Sequence, residues 1–306
     1  MKDFFRLRKH HTMRLMMRSD KILDAVLTPL SEGLDAILNG ETECPPWVKA
    51  WKDDGTQCPI RMMSRNGVSK RPYSGINWLI LTLLNKYDSL DWFTANQLKK
   101  ITGIEKPIPY EEMTKGTGIV FFKMIPKKDK PKDMFPVMKA YTVWNRDQIP
   151  DLPNVEPFAV ADFDAATEVE RYLEGLNLKG GIHRGGDRAF FSPAEDAVAF
   201  PYDEAFTCEH ERESTKAHEG IHATGAKHRL NRKAFREYSA ENYAYEELVA
   251  ELGAAMTCSH LGIPLEKLQH TQYIRSWMKS LKDDKKFLFR AAADASKGFQ
   301  LLTGVE

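Results

Sequence analysis

The pattern His-Glu-x-x-His at residues 218–222 is the feature that most constrains this chain. Residues four apart on a helix lie on one face, so His218 and His222 can bind the same metal ion. Glu219 follows the first histidine, where its carboxylate can take a proton from a water molecule at the metal. The pattern therefore predicts a helix from about residue 209 to 223 that carries a hydrolytic metal site. A third ligand must come from elsewhere in the chain.

A second predicted helix, residues 243–255, supplies carboxylates for this site. Glu247 and Glu251 are four residues apart and share a face flanked by apolar residues. A carboxylate is costly to bury there unless it is paired or bound to a metal, although both could instead face solvent. We predict Glu247 as the third metal ligand and Glu251 as a residue that orients a ligand histidine, with exchanged roles as the alternative. Glu246 is predicted to face away.

Two histidines and one carboxylate are the donors of catalytic zinc sites that keep a fourth position open. The predicted cofactor is therefore Zn²⁺. Another divalent ion, such as Mn²⁺, is the alternative because the same donor set accepts it.

Charge is distributed unevenly along the 306 residues. Residues 1–150 hold 25 Lys and Arg against 17 Asp and Glu, whereas residues 151–306 hold 19 against 26. A basic half suits a polyanionic partner, although many basic domains bind no nucleic acid. Three prolines between Asp147 and Pro157 predict a boundary near residue 150. The predicted organisation is a basic N-terminal arm (1–19), a first domain (20–150) and a second domain (151–306).

Helical and strand patterns occur in both halves, which predicts an α+β fold. The first half shows strands over Ile119–Met124 and Ala140–Asn145, and a helix that Thr94 caps. In the second half, residues 180–186 are predicted as a tight hairpin turn. Residues 189–193 and 196–201 are predicted as short strands, which offer the edge to which a peptide substrate could add.

The sequence disfavours a membrane-spanning protein and a secreted protein. No apolar run approaches the roughly 20 residues that span a bilayer, so no membrane partner is expected. The basic N-terminus is a poor secretory signal. Four widely spaced cysteines form no C-x-x-C pair, which favours reduced thiols and a cytoplasmic location. A Cys44–Cys58 bridge stays open as an alternative.

Tryptophan and lysine alternate in the segment Trp47-Val48-Lys49-Ala50-Trp51, directly after two prolines. Indole rings beside a lysine suit stacked bases and a phosphate of single-stranded DNA, and they suit a protein core equally well. The ordered set Pro46-Trp47…Trp51, Arg71-Pro72-Tyr73-Ser74-Gly75-Ile76-Asn77, Trp92-Phe93-Thr94…Gln97, Lys115-Gly116 and Tyr141-Thr142-Val143-Trp144-Asn145 resembles the N-terminal domain of ArdC-type antirestriction proteins. The TraC-type plasmid primases begin with the same domain. The resemblance implies binding of single-stranded DNA, with these candidate contacts: Trp47, Lys49, Trp51, Arg71, Tyr73, Asn77 and Lys115.

The second half is similar to the zincin-like C-terminal domain of the same family. The residues that carry this resemblance are the His-Glu-x-x-His pattern with Thr224-Gly225, His228-Arg229-Leu230 and the segment Glu246–Ala254. Gly220 and Ala223 stand where the family usually has larger residues. Because glycine costs about 1 kcal/mol relative to alanine within a helix, a less rigid helix is expected.

The resemblance spans nearly the whole chain and implies an antirestriction protein of a plasmid or phage. Such a protein would bind single-stranded DNA and carry a zinc metallopeptidase-like domain. Its protein substrate, if it has one, could be a host restriction component. The alternatives are a DNA-binding protein whose metal domain is catalytically idle, and a primase-accessory protein.

Overall fold

The computed structural model describes residues 24, 26–42, 63–83, 87–127, 130–150, 152, 165–263, 271–284 and 286–305. The predictions made for Trp47, Lys49, Trp51, the Cys44–Cys58 pair and the arm 1–19 lie outside these residues. Within the described residues helices and strands are mixed, which confirms the predicted α+β class. None of the described helices is both long and apolar enough to span a bilayer.

The helices and strands are numbered along the chain. The helices are α1 (26–38), α2 (Gly75–Leu83), α3 (Ala95–Thr102), α4 (Ala165–Gly175), α5 (Glu209–Thr224), α6 (Ala240–Leu261), α7 (Ile274–Asp283) and α8 (Lys286–Thr303). The strands are β1 (Arg65–Asn66), β2 (Asp91–Thr94), β3 (Thr117–Lys127), β4 (Lys130–Asn145), β5 (Gly181–Arg184), β6 (Phe190–Ser192) and β7 (Ala197–Phe200).

The chain folds into two compact units. Among the described residues, the first unit takes 24, 26–28, 64–73 and those from 87 to 152. The second unit takes 29–42, 63, 74–83 and those from 165 onward. Helix α2 belongs to the second unit because it packs against α8, where the Gly75 amide donates to the Ser296 hydroxyl at 2.5 Å. The units therefore interleave along the sequence, and the single boundary near residue 150 stays a prediction.

The first unit is built on a four-stranded sheet of order β1-β2-β4-β3. Strand β1 runs parallel to β2, and the other pairs are antiparallel. The predicted strands at 119–124 and 140–145 are confirmed, and both are longer because β3 and β4 pair along most of their length. Thr94 caps α3 as predicted, and its hydroxyl accepts from the Gln97 amide at 3.3 Å. The core on one side of the sheet contains Phe93, Leu98, Trp144, Ile149 and Leu152.

The second unit contains a three-stranded sheet of order β5-β7-β6. The hairpin turn predicted at residues 180–186 is wrong, because β5 is a strand that pairs in parallel with β7. The two short strands predicted after it are confirmed as β6 and β7, which pair antiparallel. Since β7 lies in the middle of the sheet, only β6 of this pair is an edge strand.

Glycines let the helices around α5 approach closely. A Cβ atom added at Gly220 would stand 2.9 Å from Leu173 of α4 and 3.1 Å from Leu302 of α8. One added at Gly253 of α6 would stand 2.8 Å from Ile221 of α5. These distances are shorter than ordinary van der Waals contacts between carbon atoms. The sequence predicts a less rigid helix at Gly220. In the structure, the absence of a side chain at Gly220 lets α4 and α8 pack closely against α5.

Candidate metal centre

Helix α5 presents the histidine pattern from a buried position. The helix ends at Thr224, close to the predicted end, and all of its last turns are buried. His218 is fully buried, and Glu219 and His222 are 6% and 9% exposed. Burial of three ionisable groups on neighbouring turns is costly unless they have polar partners. Those partners come from α6 and from the loop that follows α5.

Helix α6 places a carboxylate opposite the two histidines. Its first turn is capped by Ser239, whose hydroxyl accepts from the Asn242 amide at 3.1 Å. Two turns further on, the Glu247 carboxylate lies 3.5 Å from His218 Nε2 and 3.6 Å from His222 Nε2. The two Nε2 atoms are 3.1 Å apart. The structure therefore brings together the three residues that the sequence predicts as ligands.

The distances fit a small divalent ion. Donors that surround zinc tetrahedrally at 2.0–2.1 Å lie about 3.3 Å from one another. The two histidine nitrogens are 3.1 Å apart, and the distances from His218 Nε2 to Glu247 Oε2 and from His222 Nε2 to Glu247 Oε1 are 3.5 and 3.6 Å, all close to that value. Within the described residues, His218, His222 and Glu247 are also the group whose donor atoms all lie within 4.8 Å of one another.

Glu246 contacts the far side of His222. Its Oε1 atom lies 3.2 Å from His222 Nδ1, so the prediction that Glu246 faces away is wrong. A carboxylate at Nδ1 holds the proton on that nitrogen and leaves Nε2 free to bind a metal. Glu251, for which the sequence predicts such a role, is buried on the same helix at 6% exposure, and that role stays a prediction.

Arg232 fixes the Glu246 carboxylate from the other direction. Its guanidinium donates to both Glu246 oxygens, with the shortest contact at 2.5 Å, and to the Ile221 carbonyl at 2.6 Å. The loop after α5 folds back so that the Arg232 amide donates to the Gly225 carbonyl at 3.0 Å. A Cβ atom at Gly225 would stand 2.6 Å from the guanidinium. Gly225 therefore makes room for the arginine.

A second anchor holds the same loop to the sheet. Arg229 donates to Asp196 Oδ1 at 2.7 Å and to the Leu176 carbonyl at 3.2 Å. Burial raises the pKa of Asp196, but the hydrogen bonds from Arg229 and the Lys179 amide, together with the Arg229 charge, outweigh it and the net shift is downward. The His-Arg-Leu motif at 228–230 therefore joins the end of α5 to the turn between β6 and β7.

The carboxylates around His222 favour its protonated form. Burial lowers the pKa of His222, but the hydrogen bonds to Glu246 and Glu247 outweigh it and raise the pKa to about 10. Burial raises the pKa of Glu247, but its hydrogen bonds with His218 and His222 hold it well below the usual range. A metal ion that binds here must therefore displace a proton.

Two tyrosines that the sequence did not single out border the centre. Burial raises the pKa of Tyr243 well above its usual range, and the neighbouring charge of Glu247 and a hydrogen bond to it raise the pKa further. The Tyr243 ring lies 5.6 Å from that of Tyr273, and Tyr243 is 43% exposed. A phenolic hydroxyl at this position can donate to a substrate oxygen. Its signal in the sequence is the spacing of four residues to Glu247, which places both on one helix face.

The predicted DNA contacts that fall within the described residues differ in exposure. Arg71 is exposed, whereas Tyr73 is buried, and both belong to the first unit. Lys115 is exposed, and its ammonium group lies 2.7 Å from the Glu112 carboxylate. Asn77 is 8% exposed and lies in α2, which belongs to the second unit.

The buried histidines, the glutamate that follows the first of them and the carboxylate of α6 define the class of zincin-like metallopeptidases. A family model described as zincin-like metallopeptidase matches residues 167–294, and one described as the N-terminal domain of anti-restriction factor ArdC matches residues 31–144. The metal-free crystal structure of the antirestriction protein ArdC from plasmid R388 is similar, with 30% identity and a TM-score of 0.69. That match covers 90% of this chain and 96% of the R388 chain. The chain belongs to the ArdC family of antirestriction proteins, which confirms the resemblance found in the sequence.

Two further comparisons concern a metal-bound crystal structure and the TraC primases. The Mn(II)-bound crystal structure of the R388 protein gives a TM-score of 0.67 at 30% identity, covering 91% of this chain and 97% of that one. Two DNA primases TraC from Escherichia coli are 30% and 32% identical, each over 82% of this chain. The chain spans only 18% and 25% of the lengths of those primases.

Proposed function

We propose that this protein binds single-stranded DNA and hydrolyses a peptide bond in a protein substrate. It would protect incoming DNA of a mobile element in the cytoplasm of a bacterial host. The observation that carries the hydrolytic part is the convergence of two Nε2 atoms and one carboxylate at separations that suit a tetrahedral ion. A component of the host restriction system is the proposed substrate class, since the chain belongs to an antirestriction family.

His218, His222 and Glu247 would hold the metal, with Zn²⁺ as the proposed ion and Mn²⁺ as the alternative. The ion would supply Lewis acidity toward a peptide carbonyl and toward water. Glu219 takes the proton from the attacking water and delivers it to the leaving amine. Tyr243 donates a hydrogen bond to the carbonyl oxygen as negative charge develops there. Glu246 and Arg232 keep His222 in the tautomer that this chemistry requires.

The metal assignment predicts which substitutions remove the ion. After incubation with ZnSO₄ or MnCl₂ and dialysis, the protein is expected to hold about one ion per chain, measured by mass spectrometry. His218→Ala and Glu247→Gln should retain almost none. Glu241→Gln, at the exposed start of the same helix, is the matched control and should retain the wild-type content. Because the pKa of His222 is about 10, an ion that binds below that pH must displace a proton from His222. The affinity for the metal should therefore rise with pH, by about tenfold per pH unit for one displaced proton.

The same measurement separates the alternatives. Loss of the ion in Glu251→Gln with retention in Glu247→Gln would exchange the roles of the two glutamates. Equal, near-zero metal in the wild type and in His218→Ala would refute the metal centre.

Three observations support the proposed DNA binding. The first domain matches the ArdC N-terminal model, related TraC proteins are DNA primases, and residues 1–150 carry excess positive charge. We expect fluorescence anisotropy to give tighter binding to a single-stranded oligonucleotide than to its duplex. The logarithm of the affinity should fall linearly with the logarithm of the salt concentration, because phosphate contacts release counterions. Trp47→Ala and Trp51→Ala should weaken the complex if their rings stack on bases. Equal affinity for duplex, or an affinity independent of salt, would contradict this proposal.

A further inference from the structure

The sheet of the first unit has one face that is only partly covered. Side chains alternate between the two faces along a strand, so Ile119 and Phe121 of β3 share a face, as do Lys139 and Tyr141 of β4. The register pairs Ile119 with Tyr141 and Phe121 with Lys139, which places all four side chains together. Phe121 is 50% and Tyr141 44% exposed, and their rings meet edge to face at 5.7 Å. Two aromatic rings are thus presented to solvent beside a lysine.

A pocket of about 450 Å³ opens at this face. We call it the sheet-face pocket. Its apolar side consists of Ile119, Phe121 and Tyr141, its polar side of Asn66, Tyr73 and Thr94, and Lys139 contributes a positive charge. Ligand pockets that hold a single small group commonly combine an apolar lining with a few placed polar groups in this way, at roughly 300–1,000 Å³.

The polar side of the pocket is held rigidly before any ligand arrives. Asn66 Oδ1 accepts from the amides of Val68 and Ser69 at 3.1 and 3.0 Å, and from Gln97 Nε2 at 3.0 Å. The Thr94 hydroxyl lies 3.1 Å from Gln97 Oε1. Because these groups are fixed by neighbours in the strand and turn, little entropy is lost when they contact a ligand.

We propose that the sheet-face pocket binds one unpaired nucleobase of a single strand, an inference that rests on the proposed DNA binding. The base stacks against Tyr141 and Phe121, its polar edge faces Asn66, Tyr73 and Thr94, and Lys139 pairs with an adjacent phosphate. A base within a duplex is already stacked and paired and cannot present its flat face to these rings. The pocket therefore gives the protein a physical means of preferring single strands.

The test uses the full-length protein and a fluorescein-labelled thymidine oligonucleotide of about 16 nucleotides, long enough for one such site. Tyr141→Ala and Phe121→Ala are each expected to lower the affinity by about 5- to 150-fold, the range for loss of one stacked base. Tyr141→Phe keeps the ring and should bind like the wild type. Tyr110→Ala is the matched control, because Tyr110 is an 89% exposed aromatic residue of the same unit outside the pocket.

A second oligonucleotide distinguishes stacking from charge. An abasic strand of the same length keeps every phosphate but offers no ring. The wild type should bind it more weakly than the thymidine strand, and Tyr141→Ala should cause no further loss.

A photochemical cross-link tests the same contact without any variant. A strand with 5-iodouracil should cross-link under light to the peptide that contains Phe121 or Tyr141, and this result does not depend on the folding of a variant.

Each of the remaining outcomes overturns the pocket inference, and one of them also overturns the proposed DNA binding. If the wild type binds the thymidine strand but both alanine variants bind it equally well and the cross-link falls elsewhere, the pocket assignment fails and the proposed DNA binding stands. The exposed rings would then be candidates for contact with a peptide. If Tyr141→Ala weakens binding of the abasic strand as strongly, the ring does not contact a base and the inference is overturned. If the wild type binds no single strand at all, the inference and the proposed DNA binding fail together.

Discussion

Replacing Glu219 with glutamine is expected to abolish peptide hydrolysis while the metal content stays at the wild-type level. Glu219 is not one of the three converging ligands, yet it is buried one residue after His218, and its charge helps to raise the pKa of His222. Glutamine has nearly the same shape but cannot take a proton from water. The loss of a general base typically lowers a rate by about 10² to 10⁴-fold.

The measurement is cleavage of host restriction components in a lysate, followed by quantitative peptide mass spectrometry with metal-loaded wild type and variant. Glu209→Gln, at the exposed first residue of α5, is the matched control and should cleave as the wild type does. Metal content and affinity for single-stranded DNA are measured on the same samples. A Glu219→Gln protein that protects element DNA fully in a conjugation assay would favour the alternative in which the metal domain is catalytically idle.

The convergence of His218, His222 and Glu247 could be predicted from sequence because it follows from local helix geometry. His218 and His222 share a helix face by spacing alone, and a buried carboxylate on an apolar helix demands a partner. The choice of Glu247 over Glu251 agrees with the observed convergence of donor atoms.

The groups around the ligands could not be predicted in the same way. Spacing along α6 predicts that Glu246 faces away from the centre. Spacing does not show the direction from which His222 approaches α6, so it misses the contact between these two residues. Arg232 reaches Glu246 only because the loop after α5 folds back over Gly225, a fact of tertiary structure. Tyr243 had a usable signal in its spacing to Glu247, whereas the parallel pairing of β5 with β7 had no local signal.

The exposed aromatic rings of the first unit could not be recognised from the sequence. Residues 119–122 read Ile-Val-Phe-Phe, a continuous apolar run that hides the alternation between faces. In the folded unit Phe121 is 50% exposed, whereas Ile119 on the same face and Val120 on the opposite face are buried. Exposed rings on a strand are therefore a better guide to ligand contact than the apolar content of that strand.

The second large effect is expected from Arg232→Met. Arg232 and Glu246 are both nearly fully buried, and the arginine donates to both carboxylate oxygens. Methionine fills much of the space but leaves Glu246 as a buried charge whose remaining partner is His222. Breaking a buried pair in this way costs about 3–5 kcal/mol of unfolding free energy. Chemical denaturation of the metal-free protein measures the loss, with the exposed Arg236→Met as the matched control.

The pH dependence of this effect has a definite sign. Burial raises the pKa of Glu246, but the charge of Arg232 and the hydrogen bonds to His222 and Arg232 together outweigh it and lower the pKa below its usual value of 4.5. The stabilisation by the pair is therefore fully present above pH 4.5 and is lost as the pH falls through the lower pKa of the folded protein. The difference between wild type and Arg232→Met should shrink correspondingly in acid.

The double variant Arg232→Met, Glu246→Leu separates stability from metal positioning. Removing both charges should restore much of the unfolding free energy, because an apolar pair of similar volume often replaces a buried ion pair at little cost. It cannot restore the contact at His222 Nδ1, so metal affinity should stay about 10- to 100-fold below that of the wild type. Competition with a chelating dye measures that affinity. Wild-type metal affinity in the stable double variant would show that Glu246 does not orient His222, and the arginine and glutamate would then serve only the packing of the loop after α5 against α6.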